Sequence, residues 1–329
     1  MTTTESPELI AAATGGDETA FAQITARHRR ELLVHCYRML GSLDDAEDMV
    51  QETFLRAWRK RETYAGRASF RAWLYRIATN VCLDTLDRKP REIPSDADPA
   101  SAFEVPWLQP LPDAMVAPTA DEPHAAIVAN ETIELAFLMA IQHLTPQSRA
   151  AFILRDILDW SASDTAAALE TSVPAANSAL QRARDTLRDR LPERREAWPA
   201  STDPSADERE LLARYIAANE EPDDEALLAT IRDDARWAMP PEPLSIIGNR
   251  KMLDAWKQGG FGTPTWGPIR CITTRANGQP AVACYVKRPD DTTFRPMALD
   301  TLRIEDGQIA EIITFGPKVF PTFELPATL

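Results

Sequence analysis

The chain has 329 residues, of which 44% are hydrophobic and 26% charged, with a net charge of −14 at pH 7. This length exceeds one ordinary core and suits two or three domains. The composition excludes a disordered chain, and the acidity argues against a self-sufficient, tight nucleic-acid binder. No run of about 18 apolar residues could cross a membrane. The start, MTTTESPELIAAATGGD, lacks the basic and apolar regions of a signal peptide, so a cytoplasmic protein without membrane contact is expected. Cys36, Cys82, Cys271 and Cys284 have no close spacing and read as buried thiols of a reducing compartment, not as a zinc site or disulfide frame.

Residues 8–89 read as helical, with helices over about Pro7–Ala13, Glu18–Leu40, Asp44–Lys60 and from Ser69 to just before Pro90. In the third, Ala46, Met49, Val50, Thr53, Phe54, Ala57 and Trp58 recur at three- and four-residue steps and predict one buried stripe. Ser42 with Asp45 three residues on suggests the cap. The opposite face carries Asp45, Asp48, Gln51, Glu52 and Arg56. The fourth, SFRAWLYRIATNVCLDTLDRK, interleaves aromatics with arginines. Such a face suits single-stranded DNA, whose bases stack on aromatic rings for about 1–3 kcal/mol each; it equally suits a core tryptophan beside solvated arginines.

Eight prolines between residues 90 and 125 preclude a long helix there. The segment is acidic, since residues 91–130 hold 1 basic and 7 acidic side chains, and it carries one apolar island around Trp107-Leu-Gln-Pro-Leu-Pro-Asp113. Helices resume over about His124–His143. Thr145-Pro146 opens a helix to about Leu158, and Ser161 with Asp164 caps a short one over Thr165–Leu169. The last runs over about Val173–Leu191, with a seam of Ala176, Leu180, Ala183, Leu187 and Leu191. A short helix, a tight turn and an arginine-bearing helix form a helix-turn-helix pattern. Asn177, Ser178, Gln181 and Arg182 project away from the seam, with Arg184 and Arg188 further round. Asn and Gln suit adenine, and Arg suits guanine or phosphate. A plain helical bundle has the same pattern.

After a second proline-rich linker, residues 193–205, the grammar changes. Helices are expected over Glu208–Asn219, Asp223–Ile231 and part of Ile246–Gln258. Strands follow over Arg270–Thr274, Ala281–Lys287, Met297–Ile304 and Ile309–Phe315, with Asn277-Gly278 and Asp306-Gly307 at the hairpin turns. Trp237, Met239, Trp256, Phe261, Trp266, Tyr285, Met297 and Phe315 are candidates to line a pocket, with Asp300 facing inward. No phosphate loop, metal cluster or nucleophile triad is visible in the sequence, so no cofactor, metal or catalytic residue is assigned.

The string DAEDMVQETFLRAW resembles region 2.2 of bacterial sigma factors of the extracytoplasmic-function (ECF) type, and FRAWLYRIATNVCLD resembles their region 2.3–2.4. VPAANSALQRARDTLR resembles the recognition helix of region 4.2, with Ala175-Ala176-Asn177 where many members have a cation. WLQPLPD resembles a linker motif of ECF groups with a fused C-terminal domain, and MALDTLRIEDGQIAEIITF the terminal hairpin of a SnoaL-like, NTF2-like cone. The resemblance implies a multidomain fold: a sigma-2 domain over 8–90, a linker over 91–127, a sigma-4 domain over 128–192 and an α+β cone over 206–329.

It further implies a noncatalytic protein that binds core RNA polymerase, through its beta and beta-prime subunits, and promoter DNA. Asp45, Asp48, Gln51, Glu52, Phe54 and Leu55 would meet the polymerase clamp. Arg71, Tyr75, Arg76 and Asn80, with the loop Lys60–Ser69, would take the −10 element. Asn177, Ser178, Gln181, Arg182 and Arg184 would take the −35 element. Trp107, Leu108, Pro110, Pro112 and Asp113 would make the linker contact. The cone would regulate, with a possible small-molecule ligand and no need for a separate anti-sigma protein. Two alternatives stay open: a cone that is a small-molecule enzyme, and a self-sufficient helix-turn-helix repressor.

Overall fold

The computed structural model describes residues 6–66, 68–91, 105–117, 133–188, 205–242 and 244–329. The chain divides into two compact units: residues 1–94 with 115–197, and residues 95–114 with 198–329. Most of the first linker, Arg67, Leu191 and residues 193–204 of the second linker lie outside the described residues, as does the expected helix before Leu135.

The first unit is helical. Its first four helices are α1 (Pro7–Thr14), α2 (Glu18–Leu40), α3 (Leu43–Arg59) and α4 (Phe70–Arg88). Each begins where a side chain accepts a backbone N–H that the helix leaves unpaired: Ser6, Asp17, Ser42 and Ser69. Gly41 ends α2 in the left-handed conformation, at φ 70°, so α3 can turn back against it. The stripe on α3 is buried at Ala46, Val50, Thr53 and Ala57.

The remaining helices of this unit are α5 (Leu135–Gln142), α6 (Pro146–Phe152), α7 (Ala162–Ala168) and α8 (Val173–Arg188). Thr145 caps α6 with Pro146 in its first turn, and Ile153–Ile157 continues it as one wider π turn. Ser161 caps α7. Ala176, Leu180, Ala183 and Leu187 are the buried seam of α8.

The second unit adds α9 (Ala206–Glu220), α10 (Asp224–Thr230) and α11 (Asn249–Gln258) to a six-stranded sheet in the order β2-β1-β6-β5-β4-β3. Its strands are β1 (Ile231–Ala238), β2 (Ser245–Ile247), β3 (Ile269–Ala276), β4 (Gln279–Val286), β5 (Arg295–Glu305) and β6 (Gln308–Phe315). β1 lies parallel to β6, and every other pair is antiparallel. Strand β1 differs from the sequence expectation. Helix was expected to run through Ile231, but it stops at Thr230 and β1 starts there. β1 alternates charge with Ala and Trp and finds its partner only far along the chain, in β6, which no local pattern shows. Asn277 and Asp306 sit at φ 57° and 50° and their glycines at 73° and 76°, as tight hairpin turns require.

Candidate functional site

On α3, Asp48 and Gln51 are exposed and Leu55 is 44% exposed. Phe54 is half-buried. The neighbouring acids are not all free: Asp45 pairs with Arg91, and Glu52 pairs with Arg56 at 2.7 Å. The open face is therefore acidic at one end and apolar at the other.

The aromatic end of α4 is more enclosed than its sequence suggests. Tyr75 is fully buried, so it is not a free stacking surface in this conformation. Its hydroxyl donates to Glu31 Oε2 at 3.2 Å, and Arg71 Nε donates to the same oxygen at 2.6 Å. Burial raises the Glu31 carboxyl, but its hydrogen bond to His28 and the Arg71 charge outweigh this and hold it below the usual range. Trp73 is half-buried against Phe70 and Tyr64. Arg76 is exposed and lies 3.6 Å from Glu170, to which Asn80 Nδ2 also donates at 3.5 Å. Glu170 belongs to the turn between α7 and α8 and sits at φ 52°. A cleft of about 640 Å³ separates these faces, lined by Tyr64, Trp73 and Arg76 on one side and Trp160, Ser161 and Asp164 on the other.

A buried arginine fastens the same two halves. Arg149 on α6 donates to the carbonyls of Ile141, Gln142 and Leu144 and to Met39 at the end of α2. Burial pushes its pKa down to about 9. These carbonyls lie at helix ends, where backbone acceptors lack partners and the dipole favours a cation.

On α8, Asn177, Ser178, Gln181, Arg182 and Arg184 are all exposed on one side of the seam. Gln181 donates to Asp185 at 3.0 Å. Arg184 is clamped by both oxygens of Asp156, at 2.9 and 2.7 Å.

In the second unit the linker island is held by the β3–β4 turn. The Leu111 N–H donates to Asn277 Oδ1, and the Asn277 N–H donates to the Leu111 carbonyl, each at 2.9 Å. Asp113 accepts from Arg275 Nε at 3.0 Å and from the Gly278 N–H at 2.8 Å. Burial raises the Asp113 carboxyl despite both partners. Leu108, Pro110, Leu111 and Pro112 are buried and Trp107 is half-buried. Leu111, Arg275 and Asn277 were not identified as a site from the sequence. Asn-Gly there signalled only a turn, and its second use depends on a partner some 166 positions earlier.

The same unit encloses a cavity of about 520 Å³. Trp237, Met239, Trp256, Phe261, Trp266, Met297 and Phe315 line it. Tyr285 does not: it stacks edge-on against Phe320 and donates to the Pro326 carbonyl. Asp300 lies at the cavity, buried, accepting from Thr314 at 2.6 Å and Tyr215 at 3.1 Å. Trp237 Nε1 donates to Thr314 at 2.9 Å, which orients that hydroxyl. Burial raises the Asp300 carboxyl more than these bonds lower it. Trp266 Nε1 is buried without a hydrogen-bond partner. Among the described residues no group of three or more His, Cys, Asp or Glu could hold a metal, and no helix is long and apolar enough to cross a membrane.

Family models place Sigma-70 region 2 at residues 24–92 and Sigma-70 region 4 at residues 134–187. The ECF RNA polymerase sigma factor SigG of Mycobacterium tuberculosis (strain H37Rv) is 41% identical over 322 residues, covering 94% of this chain and 85% of SigG. The chain belongs to the ECF sigma factors. The ECF sigma factor SigJ of the same organism is 32% identical over 209 residues, covering 63% of this chain and 60% of SigJ. The crystal structure of SigJ matches with a TM-score of 0.59 at 23% identity, covering 93% of this chain and 99% of that one. This ECF sigma factor thus has regions 2 and 4 in its helical unit and a helix-and-sheet extension as its second unit.

Proposed function

We propose that this ECF sigma factor is restrained from within its own chain: the cone holds the linker, and promoter-directed transcription requires its release. The carrying observation is the paired hydrogen bond between Leu111 and Asn277, reinforced by Asp113 on Arg275 and Gly278. A linker whose Leu111 is buried on the cone is not free to thread the polymerase cleft. Covalent attachment gives the cone a high effective concentration at the linker, so modest contacts suffice. A separate anti-sigma protein is then dispensable.

In the released state the α3 face with Asp48, Gln51 and Leu55 meets the polymerase clamp. Arg76 and Asn80 take the −10 strand, and Gln181 and Arg182 read the −35 duplex. Glu170 supports a second restraint. A non-glycine residue in the left-handed region costs about 1 kcal/mol or more, and here it places a carboxylate against Arg76 and Asn80. The cavity serves as the input for a small ligand. Its lining holds Asp300 and Glu242 but no Lys, Arg or His, which disfavours anions and suits an uncharged, ring-bearing molecule. Asp300 also favours a second reading, since a buried carboxyl with a raised pKa can act as a general acid or base.

The test is promoter-specific transcription with purified core polymerase, comparing the full chain with one truncated near residue 200. Higher output from the truncated chain is expected. Unchanged output removes the regulatory role, and product formation on a panel of uncharged cyclic substrates would favour the enzyme reading.

A further inference from the structure

The hairpin that holds the linker carries two cysteines on its paired strands. Cys271 on β3 and Cys284 on β4 are direct register partners, with Sγ atoms 3.5 Å apart. The type of pairing matters. Lys287 N–H donates to the Pro268 carbonyl across the ladder, and hydrogen-bonded pairs alternate along an antiparallel ladder, so the 271–284 pair is a non-hydrogen-bonded one. The Cys271 N–H accordingly points away from β4, to Glu220 Oε1 at 2.9 Å. Such pairs bring Cα atoms to about 4.5 Å, inside the range of about 4.4–6.8 Å that a disulfide spans. Cys271 is partly exposed and Cys284 is buried. One thiol can therefore meet an oxidant in solution while its partner waits beside it.

We propose that Cys271 and Cys284 form a peroxide-oxidised dithiol pair, a modification site on the hairpin that grips the linker. Hydrogen peroxide is the oxidant. The Cys271 thiolate attacks one peroxide oxygen, the O–O bond breaks, hydroxide leaves, and Cys271 becomes a sulfenic acid. The Cys284 sulfur then attacks the Cys271 sulfur; the S–O bond breaks, and the Cys284 proton leaves with the hydroxyl as water. Two thiols lose two electrons to one peroxide, and a dithiol reductant reverses the step. Oxidised pairs of this kind in a reducing compartment are transient and sensory rather than structural.

The bond ties β3, an edge strand of the sheet, covalently to β4. β3 carries Arg275, which holds Asp113, and leads directly into Asn277, which holds Leu111. Oxidation stiffens the turn and strengthens the grip. This coupling, unlike the chemistry, rests on the linker reading above. Cys36 and Cys82 provide an internal contrast, because both are fully buried in the helical unit.

The experiment treats the reduced full-length protein with a few equivalents of hydrogen peroxide and digests it with trypsin. The expected product is the peptide 271–275 disulfide-linked to the peptide 276–287, lost on adding dithiothreitol. In Cys284→Ser, dimedone should label Cys271 instead. Amide exchange at Leu111 should slow several-fold in the linked protein. Cys271 carried to sulfinic acid with Cys284 still a free thiol, oxidation of Cys36 and Cys82 first, or no oxidation of any thiol would each overturn the site. Unchanged exchange at Leu111 in fully linked protein would overturn the coupling.

Discussion

Leu111 and Asn277 hold each other by two hydrogen bonds, one through the Asn277 backbone and one through its side chain, each 2.9 Å long. Asn277 does this from a left-handed turn at φ 57°. Asn277→Gly keeps the turn, since glycine adopts that conformation freely, and removes the side-chain acceptor of the Leu111 N–H. A buried N–H left without a partner costs about 1–3 kcal/mol, all of it against the docked linker. Transcription by the holoenzyme should rise several-fold, with little change in the melting temperature of the cone. Asp113→Ala should act in the same direction. Wild-type output from both variants would sink the restraint.

Glu170→Gly separates strain from contact in the same way. It removes the carboxylate facing Arg76 and Asn80 and relieves a left-handed non-glycine residue. Exposed ion pairs contribute about 0–1 kcal/mol, and the relief is of similar size. The variant should melt at or above the wild-type temperature while transcribing more. A variant that melts lower and transcribes no better would show Glu170 to be a structural residue of the turn.

The exposed α3 face should be needed for polymerase and not for folding. Asp48→Arg reverses an exposed charge that has no ion-pair partner among the described residues, and surface changes of this kind usually stay within about 0.5 kcal/mol of wild-type stability. Core affinity, measured by fluorescence anisotropy of the labelled protein, should fall at least tenfold. Full affinity in a folded variant would remove the acidic face from the docking surface.

Much of this architecture was legible because it is local. The N-cap residues Ser42, Thr145 and Ser161, the seam of α8 and the two Asn/Asp-Gly turns all follow from periodicity and side-chain chemistry a few residues apart. What was not legible is what is far apart in the chain. Tyr75 has the composition of an exposed base-stacking residue, yet Glu31 and Trp160 enclose it. Tyr285 directly follows Cys284, which lines the cavity, so strand alternation turns it to the opposite face of β4, where it packs against Phe320. β1 could not be separated from the preceding helix without its parallel partner. The apolar WLQPLPD island announced that it needed covering; only the fold supplied Asn277 as what covers Leu111.

The recognition helix should divide into reading and bracing arginines. Arg182 is exposed and free to reach base edges, whereas Arg184 is clamped by Asp156. Gln181→Ala and Arg182→Ala should each cost about 1–3 kcal/mol of discrimination for the −35 element over a scrambled one, measured with the holoenzyme. Arg184→Ala should weaken both sequences alike. A selectivity loss confined to Arg184→Ala would reverse the assignment.

Stability should fall in mild acid because of His35. Its Nε2 lies 2.9 Å from Thr79 Oγ1, whose own proton goes to the Tyr75 carbonyl. The hydroxyl must therefore accept, and His35 must carry its proton on Nε2. Nδ1 is left bare, buried and without a partner. Burial, then the charges of Arg38 and Arg71, push the folded pKa from 6.5 down to about 3, against a smaller opposing pull from Glu31. The unfolded chain takes up this proton near pH 6.5 and the folded chain does not. The contribution is thus complete above pH 6.5 and is lost as pH falls toward 3, at about 1.4 kcal/mol per pH unit within that window. Glu31, held below its ordinary value, adds a loss of the same sign, but only below about pH 4.5. Between pH 6.5 and 4.5 the decline belongs to His35. His35→Gln keeps a donor for Thr79 but cannot titrate, so its urea midpoint should fall less than the wild-type midpoint across that interval. Parallel curves for the two proteins would mean that some other group carries the acid sensitivity.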